Sequence, residues 1–185
     1  MPRPSIHPVG RPRWLLPFAT LAFLCAPGLT FAQGLEYRVK AAFLFNFAKF
    51  AEWPDSAGLP NAELTIAVWA PDEPYRAIAA ALVDKTVGRR KIVVTRFDPA
   101  APPPQILFIH ENSEPVPDDL LQQLFDSHVL AVGESPGFAA RYGIIGLVPR
   151  GDSLRFQVNI TAAERAGLRL SGQLARLAEI VKDSR

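Results

Sequence analysis

The spacing of apolar and polar residues changes several times along the chain and predicts alternating helices and strands. Residues 35–53 are apolar around most of a helix circumference, with one narrow polar stripe, which predicts a long first helix that Pro54 ends. Runs of strand length follow, and the predicted strands cover 63–69, 91–97, 106–109, 129–132, 143–148 and 154–160. Further helices are predicted to begin near Pro74, Pro117 and Thr161, and a last helix to cover 170–181.

Strands that alternate with helices predict an α/β fold, here a single domain with a largely parallel mixed sheet flanked by helices. The last two strands are joined by the turn residues 149–152 and are expected to form an antiparallel hairpin near the C-terminus. Thr161 and Glu164 have the spacing of a capping box for the helix that follows. Asn159, where the last strand enters that helix, is expected to take a turn or capping role.

The first 32 residues are predicted to form a secretory signal peptide outside this domain. Arg3, Arg11 and Arg13 precede the apolar stretch 14–29, which leads to small residues and a cleavage site after Ala32. The stretch is too short and contains too many prolines for a membrane anchor. The domain is therefore predicted to comprise residues 33–185, and the protein to be exported.

Composition and charge exclude several classes of function. The 20 basic and 18 acidic residues give a formal net charge of +2, and the excess comes from the predicted leader, so no surface for nucleic acid is indicated. The single cysteine, Cys25, also lies in the leader, which leaves no disulfide within the exported chain. With three histidines in the whole chain, no metal site is expected.

Candidate catalytic residues are few. Ser135 in the segment Gly-Glu-Ser-Pro-Gly has the letters of a nucleophile elbow, but Pro136 has no N–H for an oxyanion hole and opposes the tight turn. An exported hydrolase that uses Ser135 is therefore the weakest of the alternatives. His110 and His128 lie at predicted strand ends and, with no third ligand at a regular spacing, are expected to be surface residues.

The first helix is more apolar than one sheet face can cover. Phe43, Phe47 and Phe50 are explained by a place in the core. Tyr37 and Trp53 lie on other sides of the helix, so some of this aromatic surface should be exposed or buried by a partner. This surplus is the one hint of binding that the residues alone provide.

The first helix also carries a resemblance to a known family. The segment 37–54 reads YRVKAAFLFNFAKFAEWP and closely resembles the opening helix of the YfiR family of exported bacterial proteins. The segments 106–109, 129–134, 155–160 and 166–168 are similar to that family in the same order. The resemblance covers nearly the whole exported chain.

This resemblance implies a periplasmic regulator and not an enzyme. It implies that the protein binds the periplasmic sensor domain of an inner-membrane diguanylate cyclase and represses it, which controls cyclic di-GMP and biofilm formation. No cofactor and no nucleic acid are expected, while a small ligand and a homodimer stay open. The alternative is a small-molecule-sensing module that serves another membrane receptor or a kinase.

The resemblance also implies where binding residues lie. Small-ligand contacts fall on the turn after the first helix and on a C-terminal segment, and a partner-facing surface falls nearby. The predicted binding residues are Phe50, Glu52, Trp53, Gln157, Ala163, Arg169 and Ser171. Glu52 replaces a basic residue that contacts a nucleotide in the family prototype, so an anionic ligand is not expected. Relatives often carry a cysteine where Pro104 and Gln105 stand, so redox control is not expected either.

Overall fold

The computed structural model describes residues 28–55, 63–113 and 116–184. The helices in these ranges are α1 (Gly28–Phe50), α2 (Asp72–Leu82), α3 (Asp118–Asp126), α4 (Phe138–Arg141), α5 (Ile160–Arg165) and α6 (Gly172–Leu177). The strands are β1 (Ala51–Glu52), β2 (Glu63–Trp69), β3 (Thr86–Val87), β4 (Arg90–Arg96), β5 (Ile106–Ile109), β6 (Leu130–Gly133), β7 (Ile145–Arg150), β8 (Ser153–Val158), β9 (Arg169–Leu170) and β10 (Glu179–Ile180).

Eight of the strands form one mixed sheet in the order β10-β8-β7-β6-β5-β2-β4-β3. The central neighbours β4, β2, β5, β6 and β7 are parallel, and β7 and β8 form the antiparallel hairpin near the C-terminus. The predicted α/β fold is thereby confirmed. The predicted strands 63–69 and 106–109 coincide with β2 and β5.

Helices cover both faces of the sheet, as the alternation of buried residues along the strands requires. Leu64, Ile66 and Val68 of β2 pack with α1 and α2 in the larger core cluster. Ala67 of β2 points to the opposite face and packs in the second cluster, to which α3 and α4 contribute. Within the described residues, no helix combines the length and the hydrophobicity that a bilayer crossing needs.

The first helix ends three residues earlier than the predicted boundary at residue 53. Ala51 and Glu52 leave the helix because they pair with Leu170 and Arg169 in a separate two-stranded sheet. At its other end α1 begins at Gly28 and so runs through the predicted cleavage site after Ala32. The remainder of the predicted leader lies outside the described residues.

The prediction of one last helix over 170–181 is wrong. Ser171 ends β9 and caps α6, since its Oγ accepts a hydrogen bond from the Leu174 N–H at 3.2 Å. Glu179 and Ile180 then pair in parallel with β8 and extend the sheet. Leu177, the last residue of α6, is 68 % exposed.

The cap of α5 is Asn159 and not the predicted box at Thr161. The buried Asn159 side chain accepts a hydrogen bond from the Ala162 N–H at 2.9 Å and donates one to the Ala139 carbonyl at 2.9 Å. This confirms the capping role predicted for Asn159. Its second bond also ties the start of α5 to α4.

Candidate functional site

Four of the predicted binding residues meet where β1 pairs with β9, one of them, Phe50, through its backbone. Glu52 lies directly opposite Arg169 in this antiparallel pair. The Ser171 N–H donates a hydrogen bond to the Phe50 carbonyl at 2.9 Å, which closes the junction from its other side. The end of the first helix and the start of the C-terminal segment, far apart in sequence, therefore form one local site.

A cavity of about 350 Å³ opens at this junction. Its lining residues are Glu52, Trp53, Pro54, Asp55, Gly167 and Arg169. Gly167 has a φ of +71°, and a Cβ atom there would lie 3.0 Å from His128 Nδ1, so glycine suits both the conformation and the space. His128 is itself fixed by a 2.8 Å hydrogen bond to the Ala166 carbonyl. At Gly167 the backbone that lines the cavity thus lies close to the His128 side chain.

Trp53 is half-buried and joins the cavity to the core. Its ring packs against the larger core cluster, and the Arg90 guanidinium lies over it at 5.8 Å from the ring centre. Its Nε1 is buried and has no hydrogen-bond partner among the described residues. An unsatisfied buried donor costs about 1–3 kcal/mol.

The charges around the cavity are mixed. Glu52 and Asp55 supply carboxylates, and Arg169 supplies a guanidinium. Glu52 and Arg169 face each other in register but form no ion pair in the described part of the chain. Both side chains are exposed, so a bound molecule can reach each charge.

Phe50 lies on a different side of α1, in an apolar cavity of about 300 Å³. The residues that line this second cavity are Phe43, Asn46, Phe47, Phe50, Phe156, Gln173, Leu174 and Leu177. Phe50 is half-buried, and the Lys49 ammonium lies 5.6 Å from its ring centre. Only the backbone of Phe50 therefore belongs to the β1–β9 junction, through its bond to Ser171.

Gln157 and Ala163 lie away from this junction. Gln157 sits in β8 between Gly146 of β7 and Glu179 of β10 and is half-buried. Ala163 is 2 % exposed and packs in the core, because α5 turns its row of alanines inward. The Ala163 side chain therefore does not contribute to the partner-facing surface that the resemblance implies.

Sequence reasoning missed a buried polar cluster at the carboxyl ends of β5 and β6. Lys40 of α1 forms a salt bridge with Glu134, which directly follows β6, and their side chains are each only 7 % exposed. Glu134 Oε1 lies 3.4 Å from His110 Nε2 and accepts the Glu111 N–H at 3.2 Å. Tyr37 completes the cluster, with its hydroxyl 3.4 Å from His110 Nε2.

The expectation that His110 is a surface residue is wrong, since it is 4 % exposed. Its Nδ1 accepts the Asn112 N–H at 3.1 Å, so the neutral ring carries its proton on Nε2, toward Glu134 and Tyr37. Two signals in the sequence could have revealed the cluster. His110 follows a uniformly apolar strand, and Lys40 shares the helical spacing of the buried Tyr37 and Leu44.

Two pKa values shift in the cluster. Burial by itself lowers the pKa of the Lys40 ammonium, but its hydrogen bonds to Glu134 and Glu36 outweigh burial and raise it above its ordinary value. Burial raises the pKa of the Tyr37 hydroxyl, and the nearby Lys40 charge offsets part of that rise. The Lys40 ammonium lies 5.0 Å from the Tyr37 ring centre, which couples the two residues.

Ser135 lies in the loop between β6 and α4, where its carbonyl accepts the Phe138 N–H at 3.0 Å. Among the described residues, its hydroxyl makes no hydrogen bond to a histidine or a carboxylate. The activation that a serine nucleophile requires is therefore not present in the described part of the chain. In the same ranges, no three His, Cys, Asp or Glu side chains are grouped to hold a metal ion.

The structure defines an α/β domain with a cavity at the β1–β9 junction. The chain belongs to the YfiR/HmsC-like family, whose model matches residues 37–179, from the first buried tyrosine of α1 to β10. The resemblance found in the sequence is thereby confirmed, and at the level of the family the protein is a periplasmic regulator of the diguanylate cyclase system. The curated proteins contain no match to the chain.

Proposed function

We propose that the protein is exported to the periplasm, binds the periplasmic sensor domain of an inner-membrane diguanylate cyclase and holds the enzyme inactive. Release of the cyclase then raises cyclic di-GMP and promotes biofilm formation. Family membership supports the regulatory role. The main structural support for the proposed binding site is the β1–β9 junction, where Glu52, Trp53 and Arg169 line one cavity.

The cavity and its rim suit two different occupants. A volume of about 350 Å³ is at the lower end of the size of small-ligand pockets. Trp53 provides a half-buried aromatic ring at the rim of the cavity, and tryptophan is among the residues that dominate protein interfaces. We assign the cavity to a small ligand and the rim around Trp53 to the cyclase.

This arrangement lets a ligand control the partner. A molecule in the cavity touches both β1 and β9, and β1 directly continues α1. Occupancy therefore changes the surface at the end of α1 that the cyclase is proposed to contact. The mixed charges of Glu52, Asp55 and Arg169 favour a ligand that carries both a positive and a negative group over a simple anion.

The experiment measures the affinity of the purified protein for the cyclase's periplasmic domain, together with urea denaturation of the same samples. Trp53→Ala is expected to weaken binding by about 30- to 1000-fold, since truncation of an aromatic anchor costs about 2–4 kcal/mol. The matched control is Trp69→Ala, because Trp69 is also half-buried but stacks on Phe97 at 5.2 Å and packs with the helices on the other sheet face.

Trp69→Ala is expected to reduce stability and to leave the affinity of the folded protein unchanged. If Trp53→Ala lowers only the free energy of unfolding, by about 3–5 kcal/mol, Trp53 is an ordinary core residue and the proposed surface is refuted. A wild-type protein that does not bind the cyclase domain refutes the function itself.

A second function, a ligand-sensing module for another membrane receptor or kinase, is favoured by the same cavity. The two functions differ in the cellular output. Deletion of the gene is expected to raise cyclic di-GMP if the partner is a cyclase. An unchanged cyclic di-GMP level, with altered phosphorylation of a membrane kinase, would favour the second function.

A further inference from the structure

Helices α1 and α2 pack side by side on one face of the sheet and leave an open groove of about 650 Å³ between them. Six of the ten residues that line this groove carry small side chains, and Phe45 and Leu82 add larger apolar ones; the six are Gly34, Ala41, Ala42, Ala77, Ala80 and Ala81. Ala42 and Ala80 are exposed, so the groove is accessible from solvent. Small side chains on both walls allow another helix to approach closely, toward the ~8 Å end of usual interhelical distances.

The charged residues that line the groove are both basic. Arg38 of α1 and Lys85 after α2 are exposed, and neither forms an ion pair within the described ranges. Other cations close to α2 are paired, since Arg76 and Arg96 both contact Asp72. The groove thus presents two positive charges that have no ion-pair partner among the described residues.

Exposed apolar residues adjoin the groove. Leu35 and Val39 are 62 % and 39 % exposed, and with Ala42 they have the spacing of one helix face along α1. Val83, directly after α2, is 63 % exposed. Contiguous exposed apolar surface beside polar residues is typical of protein-binding sites.

We propose that the groove between α1 and α2 docks an acidic amphipathic helix of the membrane partner's periplasmic domain, and this choice of partner rests on the proposed function. The helix would place its apolar face on the alanines and direct carboxylates at Arg38 and Lys85, as in other helix-in-groove complexes. A helix that binds a bilayer presents a convex apolar face to it. The surface between α1 and α2 is concave instead, which favours a protein helix over a bilayer as the binding partner. The groove shares no lining residue with the Trp53 cavity.

The test uses the full purified protein and a fluorescent amphipathic peptide of about 20 residues, with Glu along one flank and Leu and Ala along the other. Fluorescence anisotropy at low salt is expected to show binding of this peptide and no binding of a peptide with Lys in place of Glu. Charge reversal in the double variant Arg38→Glu, Lys85→Glu is expected to weaken binding at least ~10-fold. The matched control is the double variant Arg155→Glu, Arg176→Glu, which reverses two exposed cations away from the groove. It should bind the peptide with the same affinity as wild type.

A second variant tests the shape of the groove without changing its charge. Ala80→Trp adds bulk at an exposed position, so the protein should remain folded by circular dichroism while peptide binding is lost. Equal peptide affinity in wild type and in both groove variants would overturn the inference. So would binding to vesicles of phosphatidylglycerol and phosphatidylcholine that depends on Arg38 and Lys85 while the peptide does not bind.

Binding measurements with the cyclase's periplasmic domain distinguish a failure of the groove proposal from a failure of the proposed function. If that domain binds wild type and the Arg38→Glu, Lys85→Glu variant equally, the groove is not its docking site, although repression by the protein stands. If the acidic peptide binds but the cyclase domain does not bind wild type, the proposed function fails and the assignment of the partner fails with it. We expect the cyclase domain to compete with the peptide and to bind the double variant at least ~10-fold more weakly than wild type.

Discussion

Lys40 and Glu134 form a buried salt bridge that ties the first helix to the carboxyl end of β6. Lys40 also contacts Glu36 at 2.6 Å, and Glu134 also contacts His110 and the Glu111 N–H. The bridge lies on the same helix whose far end enters the β1–β9 junction. It therefore fixes the position of α1, from which both proposed binding surfaces are built.

Glu134→Gln is expected to destabilise the protein by about 3–5 kcal/mol, because it leaves the buried Lys40 charge without its main partner. Chemical denaturation measures the change. Glu111→Gln serves as the control, since that side chain is exposed and the change should stay within about 0.5 kcal/mol.

The double variant Lys40→Met, Glu134→Leu is expected to recover most of the stability that Glu134→Gln loses, because it removes both buried charges together. A Glu134→Gln protein as stable as wild type would show that the bridge does not hold α1 in place.

Stability should fall at alkaline pH. The folded-state pKa values of Lys40 and Tyr37 are raised above their ordinary 10.5 and 10.0, so the folded protein holds these protons more tightly than the unfolded chain. Their contribution is fully present below the unfolded pKa values and is lost as the pH rises through the folded ones. Urea denaturation from pH 8 to pH 12 should therefore show a fall that begins above about pH 10.

The variant Lys40→Met should show a smaller alkaline fall than wild type. Lys49→Met is the matched control, since Lys49 is exposed on the same helix, and it should keep the wild-type dependence. The same alkaline fall in wild type and in Lys40→Met would assign the effect to other groups.

Local patterns in the sequence predicted most of the sheet but not the junction. The apolar runs at β2 and β5 have unambiguous strand length and composition, and both coincide with the structure. Ala51 and Glu52 have no strand pattern of their own, and their pairing with Leu170 and Arg169 is a tertiary contact. A pairing of two residues with two distant residues has no local signal, since its energy comes from the tertiary structure.

The residues of the candidate site also differ in whether the sequence could indicate them. Glu52, Trp53 and Arg169 came from the family resemblance, and the structure brings them to one cavity. The buried pair of Lys40 and Glu134 was not predicted, because a charged residue in a sequence is ordinarily assigned to the surface. Only the fold brings the two opposite charges together.

Gly167→Ala is expected to destabilise the protein by about 1–2 kcal/mol, because alanine is strained at a φ of +71° and its Cβ would press on His128. The same variant should weaken binding of a ligand in the adjacent cavity. Gly34→Ala is the opposite case, since an added Cβ there would have open space within 4 Å and Gly34 lies at the start of the exported chain, so stability should change by less than about 0.5 kcal/mol. Thermal and urea denaturation of both variants give the comparison, and equal effects would contradict it.

Asn159→Ala is expected to cost about 2–4 kcal/mol, because it removes the cap of α5 and leaves the Ala139 carbonyl without its buried donor. Thr161→Ala should change the free energy of unfolding by less than about 0.5 kcal/mol, since Thr161 is exposed and does not cap the helix. A larger loss from Thr161→Ala than from Asn159→Ala would restore the capping box predicted from the sequence.

The exported protein is expected to begin at or near Gln33, although α1 itself begins at Gly28. Cleavage after Ala32 removes the first five helix positions, while the first buried side chain described on α1 is Tyr37. The loss should therefore leave the described packing of α1 intact, because the Lys40 bridge and every core residue that the structure describes follow the cut. Mass spectrometry of periplasmic material measures the N-terminus, and retained Arg11 and Trp14 would contradict export with cleavage. Because Cys25 leaves with the leader, the melting temperature of this material should be the same with and without reductant.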